Sequence, residues 1–256
     1  MTGWSDLEAE LDSWAAVDRV AEFWWRDDDA VSATTALDRL LALQRHAGVA
    51  IALAVIPARA DEGLARRLSG ERDVVVFQHG WSHANHAPAG QPKAELGPHR
   101  LPAYVLGELN RGAMALDRLF GPTWPKVLVP PHNRIALPVA NGLAAAGYVG
   151  LSIDRPRTTS NIPLARVNVH IDIMEWSKTR AFLGDSLCLD QAIAHLRAKR
   201  TGGADAAEPT GFLTHHLAHD EPAWGFAEAF LTRTVAHRAV RWREPRQLFA
   251  AESARQ

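Results

Sequence analysis

The chain has 256 residues, with 28 Lys and Arg against 29 Asp and Glu and a formal net charge of -1. That balance excludes the strongly basic surface of a nucleic-acid binder or a protein drawn to anionic membranes. No apolar run approaches the ~18 residues of a membrane span, so the composition, 47% hydrophobic and 22% charged, reads as an ordinary globular chain of a length that makes single α/β barrels.

Apolar residues at Leu7, Leu11, Trp14 and Val17 predict an amphipathic helix over 7–20, ahead of the main fold. Residues 22–26 form an aromatic strand, Phe23-Trp24-Trp25, running directly into Asp27-Asp28-Asp29. Ser32 or Thr34 caps a helix to about 47, ended by Gly48. The apolar run 49–56, stopped by Pro57, is a strand buried on both faces. After a short helix to about 68, strand 73–78 ends in His79-Gly80, followed by His83 and His86. An irregular loop over 86–101 precedes a helix over 101–120. Strand 126–129 ends in Pro130-Pro131-His132-Asn133, and a helix spans 135–146. Strand 148–153 ends at Asp154, and a polar loop covers 155–163. Residues 165–173 alternate, with Val167, Val169, Ile171 and Ile173 on one side and Asn168, His170 and Asp172 on the other. A helix over 186–199, a strand over 210–214 ending in His215-His216, and a helix over 224–240 complete the pattern, leaving an Arg-rich tail at the surface.

About seven strands separated by helices imply a parallel sheet. No Gly-x-Gly-x-x-Gly follows the first strand, so a dinucleotide fold has no support. Polar clusters close strand after strand, and a closed barrel would gather them on one rim. The expected fold is therefore a distorted, TIM-barrel-like (β/α)7 barrel with the first helix outside. It forms a single domain over 1–256, with a core of about 22–242. The lone Cys188 forbids an intrachain disulfide, and the acidic amino terminus shows no secretory leader, which points to a cytoplasmic protein.

Two neutral imidazoles four residues apart, His79 and His83, can converge on one cation. Adjacent carboxylates repel unless a cation compensates, so the Asp triplet makes sense beside a metal; otherwise its members are surface or helix-capping acids. Strand alternation sends Arg26 and Asp28 to the same face.

The Asp-Asp at the end of the first strand, His-x-x-x-His at the end of the third and a late Leu-x-His resemble the polysaccharide deacetylase superfamily, from about Phe23 to His216. The resemblance implies the barrel, a divalent metal with zinc foremost, and hydrolysis of an acyl group, N-acetyl above all, on a sugar or polysaccharide. It implies Asp28 as base and Asp29 as ligand, with Asp27 and Asp28 as the alternative register. It makes His79 and His83 ligands, and His215 the general acid. Pro131, His132 and Asn133 would form a groove wall, Asp172 and Trp176 would supply an acid and an aromatic, and Leu213 would line an acyl-methyl pocket. His86 lies outside the pattern, Asn85 shapes the loop, and His219 and Asp220 restrain the His215-His216 pair. One departure is Val129, where relatives carry an Arg that orients the base; Arg26 is the candidate replacement. The competing readings keep the barrel and metal but cleave a formamide or cyclic amide, or bind sugar without turnover. The partners implied are a carbohydrate or another small acylated substrate, with no nucleic acid and no membrane; the oligomeric state is open.

Overall fold

The computed structural model describes residues 1–157, 162 and 164–253. Part of the polar loop expected over 155–163 lies outside the described residues. The order of elements is α1 (Trp4–Ala15), β1 (Ala21–Ala30), α2 (Thr35–Ala47), β2 (Ile51–Val55), α3 (Glu62–Leu68), β3 (Val74–His79), α4 (Pro102–Phe120), β4 (Val127–Val129), α5 (Leu137–Gly142) and β5 (Gly150–Leu151). There follow β6 (Ala165–Arg166), β7 (Ile171–Asp172), α6 (Asp185–Thr201), β8 (Thr210–Thr214), α7 (Glu221–Ala236), β9 (Val240–Trp242) and α8 (Pro245–Ser253).

All strands pair in parallel, in the order β6-β5-β4-β3-β2-β1-β8-β7, with β9 beside the start of β1. Segment 165–172 closes the sheet on itself. Its first half bonds to β5, with Val167 N–H donating to Leu151 O and Val169 N–H to Ile153 O. Its second half pairs with β8. β6 and β7 are thus one staggered wall, and seven wall positions make a distorted (β/α)7 barrel. Gly211 allows the closure, since a Cβ there would lie 2.4 Å from Asn168 O.

Alternation along β1 sets the layers. Phe23 and Trp25 pack outward with the buried faces of α1, α2, α6 and α7, while Trp24 joins Phe77, Val129, Val167 and Leu213 inside the barrel. Helix α1 lies in the outer layer, burying Leu7, Leu11 and Trp14. Thr34 caps α2 by accepting from Leu37 N–H at 3.0 Å, and Gly48 ends it in the left-handed region, φ 63°.

Three expectations need correction. The tail is not a surface strap: β9 extends the sheet, and α8 buries Leu248 and Phe249 in the barrel interior. There Phe249 meets Trp24 and Phe77 edge to face at 5.9 and 5.1 Å. The helix expected over 135–146 is regular only from Leu137 to Gly142, because Asn141-Gly142 is a weak helix former. Helix α7 starts earlier than expected: Asp220 caps it by accepting from Ala223 N–H, with Pro222 in the first turn. Asp220 therefore serves the helix and does not restrain His215.

Candidate active site

Asp28, Asp29, His79, His83, Asp172 and His215 all sit at carboxyl ends of barrel strands or in the loops that leave them, where such barrels carry their chemistry. Asp29 Oδ1 lies 3.2 Å from His79 Nε2 and 3.3 Å from His83 Nε2. The three donor atoms fall within 4.8 Å of one another. His79 Nδ1 donates to Val129 O at 2.9 Å, which turns Nε2 toward the carboxylate. Asp29 Oδ1 is buried and has no well-aligned hydrogen-bond donor. An imidazole nitrogen facing an unpartnered carboxylate oxygen could hold a cation, and two imidazoles with one carboxylate are the donor set of an open, three-ligand metal centre. The residues fit such an ion.

Burial would lower the His79 imidazole, but the carboxylates of Asp28 and Asp29 outweigh it and hold it above its ordinary value. Burial alone would raise the Asp29 carboxyl, but His79, His215 and His83 outweigh it and hold it well below the carboxylate range. Burial, together with the neighbouring His79, lowers His83 against the opposing pull of Asp29 and Glu95. Burial, with the neighbouring imidazoles of His83 and His79 and the cations Lys93 and Arg134, brings His132 down to about 4.

The backbone is bent to make this constellation. Asp29, His83, His132 and Asn133 all have positive φ, 73°, 62°, 58° and 53°. Non-glycine residues pay about 1–2 kcal/mol each for that region, so the strain is concentrated where the side chains converge. Gly80, φ 59°, lets the loop pass under Pro131; a Cβ there would lie 2.0 Å from Glu95 Oε2 and 2.6 Å from Pro131 Cδ.

Asp28 points into the barrel, to a fully buried Arg26. Arg26 Nε is 2.9 Å from Asp28 Oδ1, and Nη2 donates to Oδ2 at 3.0 Å. The same guanidinium donates to Asn133 Oδ1 and to Ser152 Oγ, both at 2.8 Å. Asp28 Oδ2 lies 4.0 Å from His215 Nε2. The His215 ring meets Trp176 edge to face at 4.5 Å, and Trp176 Nε1 donates to Asp172 Oδ2 at 2.9 Å. Burial pushes the Asp172 carboxyl up, against the pull of His215 and its two hydrogen bonds.

Asp27 turns to the opposite side of β1. It is fully buried and accepts from Thr214 Oγ1, His216 N–H and the His216 ring. That geometry makes it a brace between β1 and β8, and it separates Asp27 from Asp28. His219 Nε2 accepts from His215 N–H at 3.2 Å. Leu213 is fully buried inside the barrel, in register with Arg26 on one side and Asp172 on the other. His132 meets the His83 ring at 4.5 Å. His86 is exposed and is not part of the group, while Asn85 accepts from Ala87 and Ala94 N–H and shapes its loop.

No protein-family model matches this sequence, and no curated protein matches it significantly. Solved structures do match over nearly the whole chain. A protein of Mycobacterium smegmatis assigned to the polysaccharide deacetylases aligns with a TM-score of 0.68 at 14% identity, covering 93% of this chain and 91% of that one. A family 4 acetyl xylan esterase from Clostridium thermocellum, solved with a cobalt ion, aligns at 0.54 and 16% identity, covering 90% and 91%. A peptidoglycan deacetylase from Bacillus subtilis aligns at 0.55 and 14% identity, covering 92% and 93%. The chain shares the polysaccharide deacetylase fold.

Within that deacetylase-type barrel, several contributors to the site carry no sequence pattern. Glu95 is fully buried and accepts from Trp81 N–H, Ser82 N–H and Ser82 Oγ, which pins the loop between His79 and His83. Ser152 holds Arg26. His170, which alternation sets on the same side as Asp172, turns instead to α6. It stacks on His195 with ring centroids 3.4 Å apart and planes 11° apart, and its Nε2 lies 3.5 Å from Glu208 Oε2.

Proposed function

We propose that the chain is a divergent, metal-dependent hydrolase of the polysaccharide deacetylase group that removes an acyl group, N-acetyl foremost, from a sugar. The observation that carries this reading is the meeting of two units on one rim. One is the Asp29-His79-His83 donor set. The other is a carboxylate clamped by Arg26 and 4.0 Å from an imidazole.

Asp29, His79 and His83 would hold a divalent ion, zinc foremost. Bound there, such an ion polarises an acyl oxygen and makes water a better nucleophile near neutral pH. Asp28 is the base: Arg26 fixes both of its oxygens, so Oδ2 presents one direction to the attacking water. His215, across from Oδ2, gives a proton to the departing nitrogen. Asp172 holds the Trp176 indole against the His215 ring, so the aromatic wall and the acid are set by one carboxylate. Asn133 positions Arg26, and Pro131 with His132 closes the cleft beside His83. Leu213 closes the floor under the acyl group.

The test is acetate release from N-acetylated sugars by the zinc-loaded protein. Asp28→Asn should lower turnover by about 10²–10⁴-fold, the usual worth of a positioned base, with the metal still bound. Wild-type turnover in that variant would overturn the assignment. Ring opening of a cyclic amide without acetate release would keep the barrel and replace the substrate.

A further inference from the structure

A cleft of about 270 Å³ adjoins the metal donor set, lined by Asp29, His83, Trp176, Arg59 and Arg180 among others. Its two arginines come from two different loops. Arg59 sits in the turn after β2, which docks on the histidine loop through Ala58 N–H donating to Trp81 O at 2.9 Å. Arg180 sits in the loop before α6, in the left-handed region at φ 53°. That loop is built, not slack. Met174 and Phe182 bridge its base, Glu175 N–H donates to Ala181 O at 2.9 Å, and the Glu175 carboxylate accepts from the N–H groups of Ser177, Lys178 and Thr179.

Neither guanidinium has an acidic partner among the described residues. Elsewhere arginines that face acids close ion pairs, as Arg100 does with Glu108 and Arg157 with Glu252. The one acid lining the cleft, Asp29, faces His79 and His83 as part of the metal donor set, and the nearby Glu175 carboxylate is taken up by its own loop. Lys93 and Arg134 add positive charge near His132, beyond His83. A concave site with two arginines that no acid pairs attracts an anion, and planar guanidinium groups match the paired oxygens of phosphate or carboxylate.

We infer that the substrate carries an oxyanion, a phosphate or carboxylate group on the acylated sugar, held between Arg59 and Arg180. This rests on the deacylase reading for the rest of the substrate, but the anion site can be tested without turnover. A neutral polymer would leave both guanidinium groups idle. An anionic sugar would be oriented by them, with its ring against Trp176.

The experiment is calorimetric titration of the full chain with three probes, N-acetylglucosamine 1-phosphate, N-acetylmuramic acid and neutral N-acetylglucosamine, alongside acetate release from each. At least one anionic probe should bind about 10-fold or more tightly than the neutral one, with a preference that shrinks as salt rises. Arg59→Ala and Arg180→Ala should each collapse that preference, and Arg→Lys should restore part of it. Preference for the phosphate or for the carboxylate alone names the group. Equal binding of all three probes, no binding of any, or a preference untouched in both alanine variants overturns the inference. Arginine-dependent preference without acetate release from any probe leaves the anion site standing and removes the deacetylase reading.

Discussion

Asp29, His79 and His83 at the barrel mouth, and Glu208, His170 and His195 on the wall facing α6, are each two imidazoles and a carboxylate with donor atoms within 4.8 Å. They differ in what the other ring nitrogen does. His79 spends its Nδ1 proton on Val129 O, so Nε2 is the nitrogen that faces Asp29 and can serve a metal. His170 Nδ1 accepts from Gly211 N–H at 2.9 Å, so its proton sits on Nε2 and faces Glu208. His195 lies face to face on His170, and no single point lies in the plane of two parallel rings 3.4 Å apart. Glu208 is already occupied by Arg157 N–H and Asn168 N–H. The first trio has the geometry to hold a metal ion; the second is closed by its own protons and ring stacking. Residue type alone does not separate them; the hydrogen bond to the far nitrogen does.

The sharpest way to break this comparison is to remove an imidazole from each trio. His79→Ala should take bound zinc from one equivalent to near none and cut acetate release by about 10³-fold or more, the worth of several kcal/mol of metal assistance. His195→Ala should leave one equivalent bound. Metal analysis of the two purified variants decides it, and zinc lost equally from both would show that the two trios are alike.

A second effect, next in size, concerns the clamp on Asp28. Arg26→Lys keeps a buried positive charge but loses the fork that holds Asp28, Asn133 and Ser152 together. Turnover should fall by about 10²-fold from misplacement of the base, with zinc content unchanged. Gly80→Ala comes third. The added Cβ drives into Glu95 and Pro131 at a positive φ, so unfolding in urea should show a loss of about 1–3 kcal/mol. Zinc affinity should fall with it, because the His79–His83 loop must shift.

Much of this was legible from residue order, and the parts that were not share a cause. The run Val74–Phe77 and the imidazoles after it placed β3 and its rim, because a buried strand with an abrupt polar end leaves a one-dimensional signature. Alternation put Arg26 and Asp28 on one face, where they meet. The sequence alone leaves two registers of base and ligand open, Asp28-Asp29 and Asp27-Asp28; Thr214 and His216, nearly 190 residues away, hold Asp27 on the side of β1 away from Asp28, which favours the first. The alternation expected over 165–173 does not hold through the segment: Val167 and Val169 join the barrel interior while Ile171 and Ile173 join the outer core, because segment 165–172 changes neighbours midway. Asp172 therefore reaches the mouth while His170 meets α6. Glu95, Arg59 and Arg180 come from turns and loops, where no period announces a role. The closing helix α8 was hidden because its apolar pair, Leu248 and Phe249, lies in an otherwise polar, Arg-rich stretch.

The smallest expected effect probes the proton-holding trio through pH. Burial, then the neighbouring His170 and Lys199, brings His195 down to about 2, from an ordinary value of 6.5. A histidine whose folded value is depressed stays neutral in the folded chain while the unfolded chain takes up a proton. Its contribution to stability is therefore intact above about 6.5 and declines as pH falls below that. Between pH 6.5 and 5 the loss amounts to about 2 kcal/mol. His195→Phe keeps an aromatic face against His170 and cannot take the proton, so its urea midpoint should fall less than that of the wild type between pH 7 and 5. Equal falls in the two proteins would mean that His195 is protonated in the folded state, and the distinction between the trios would lose its electrostatic half.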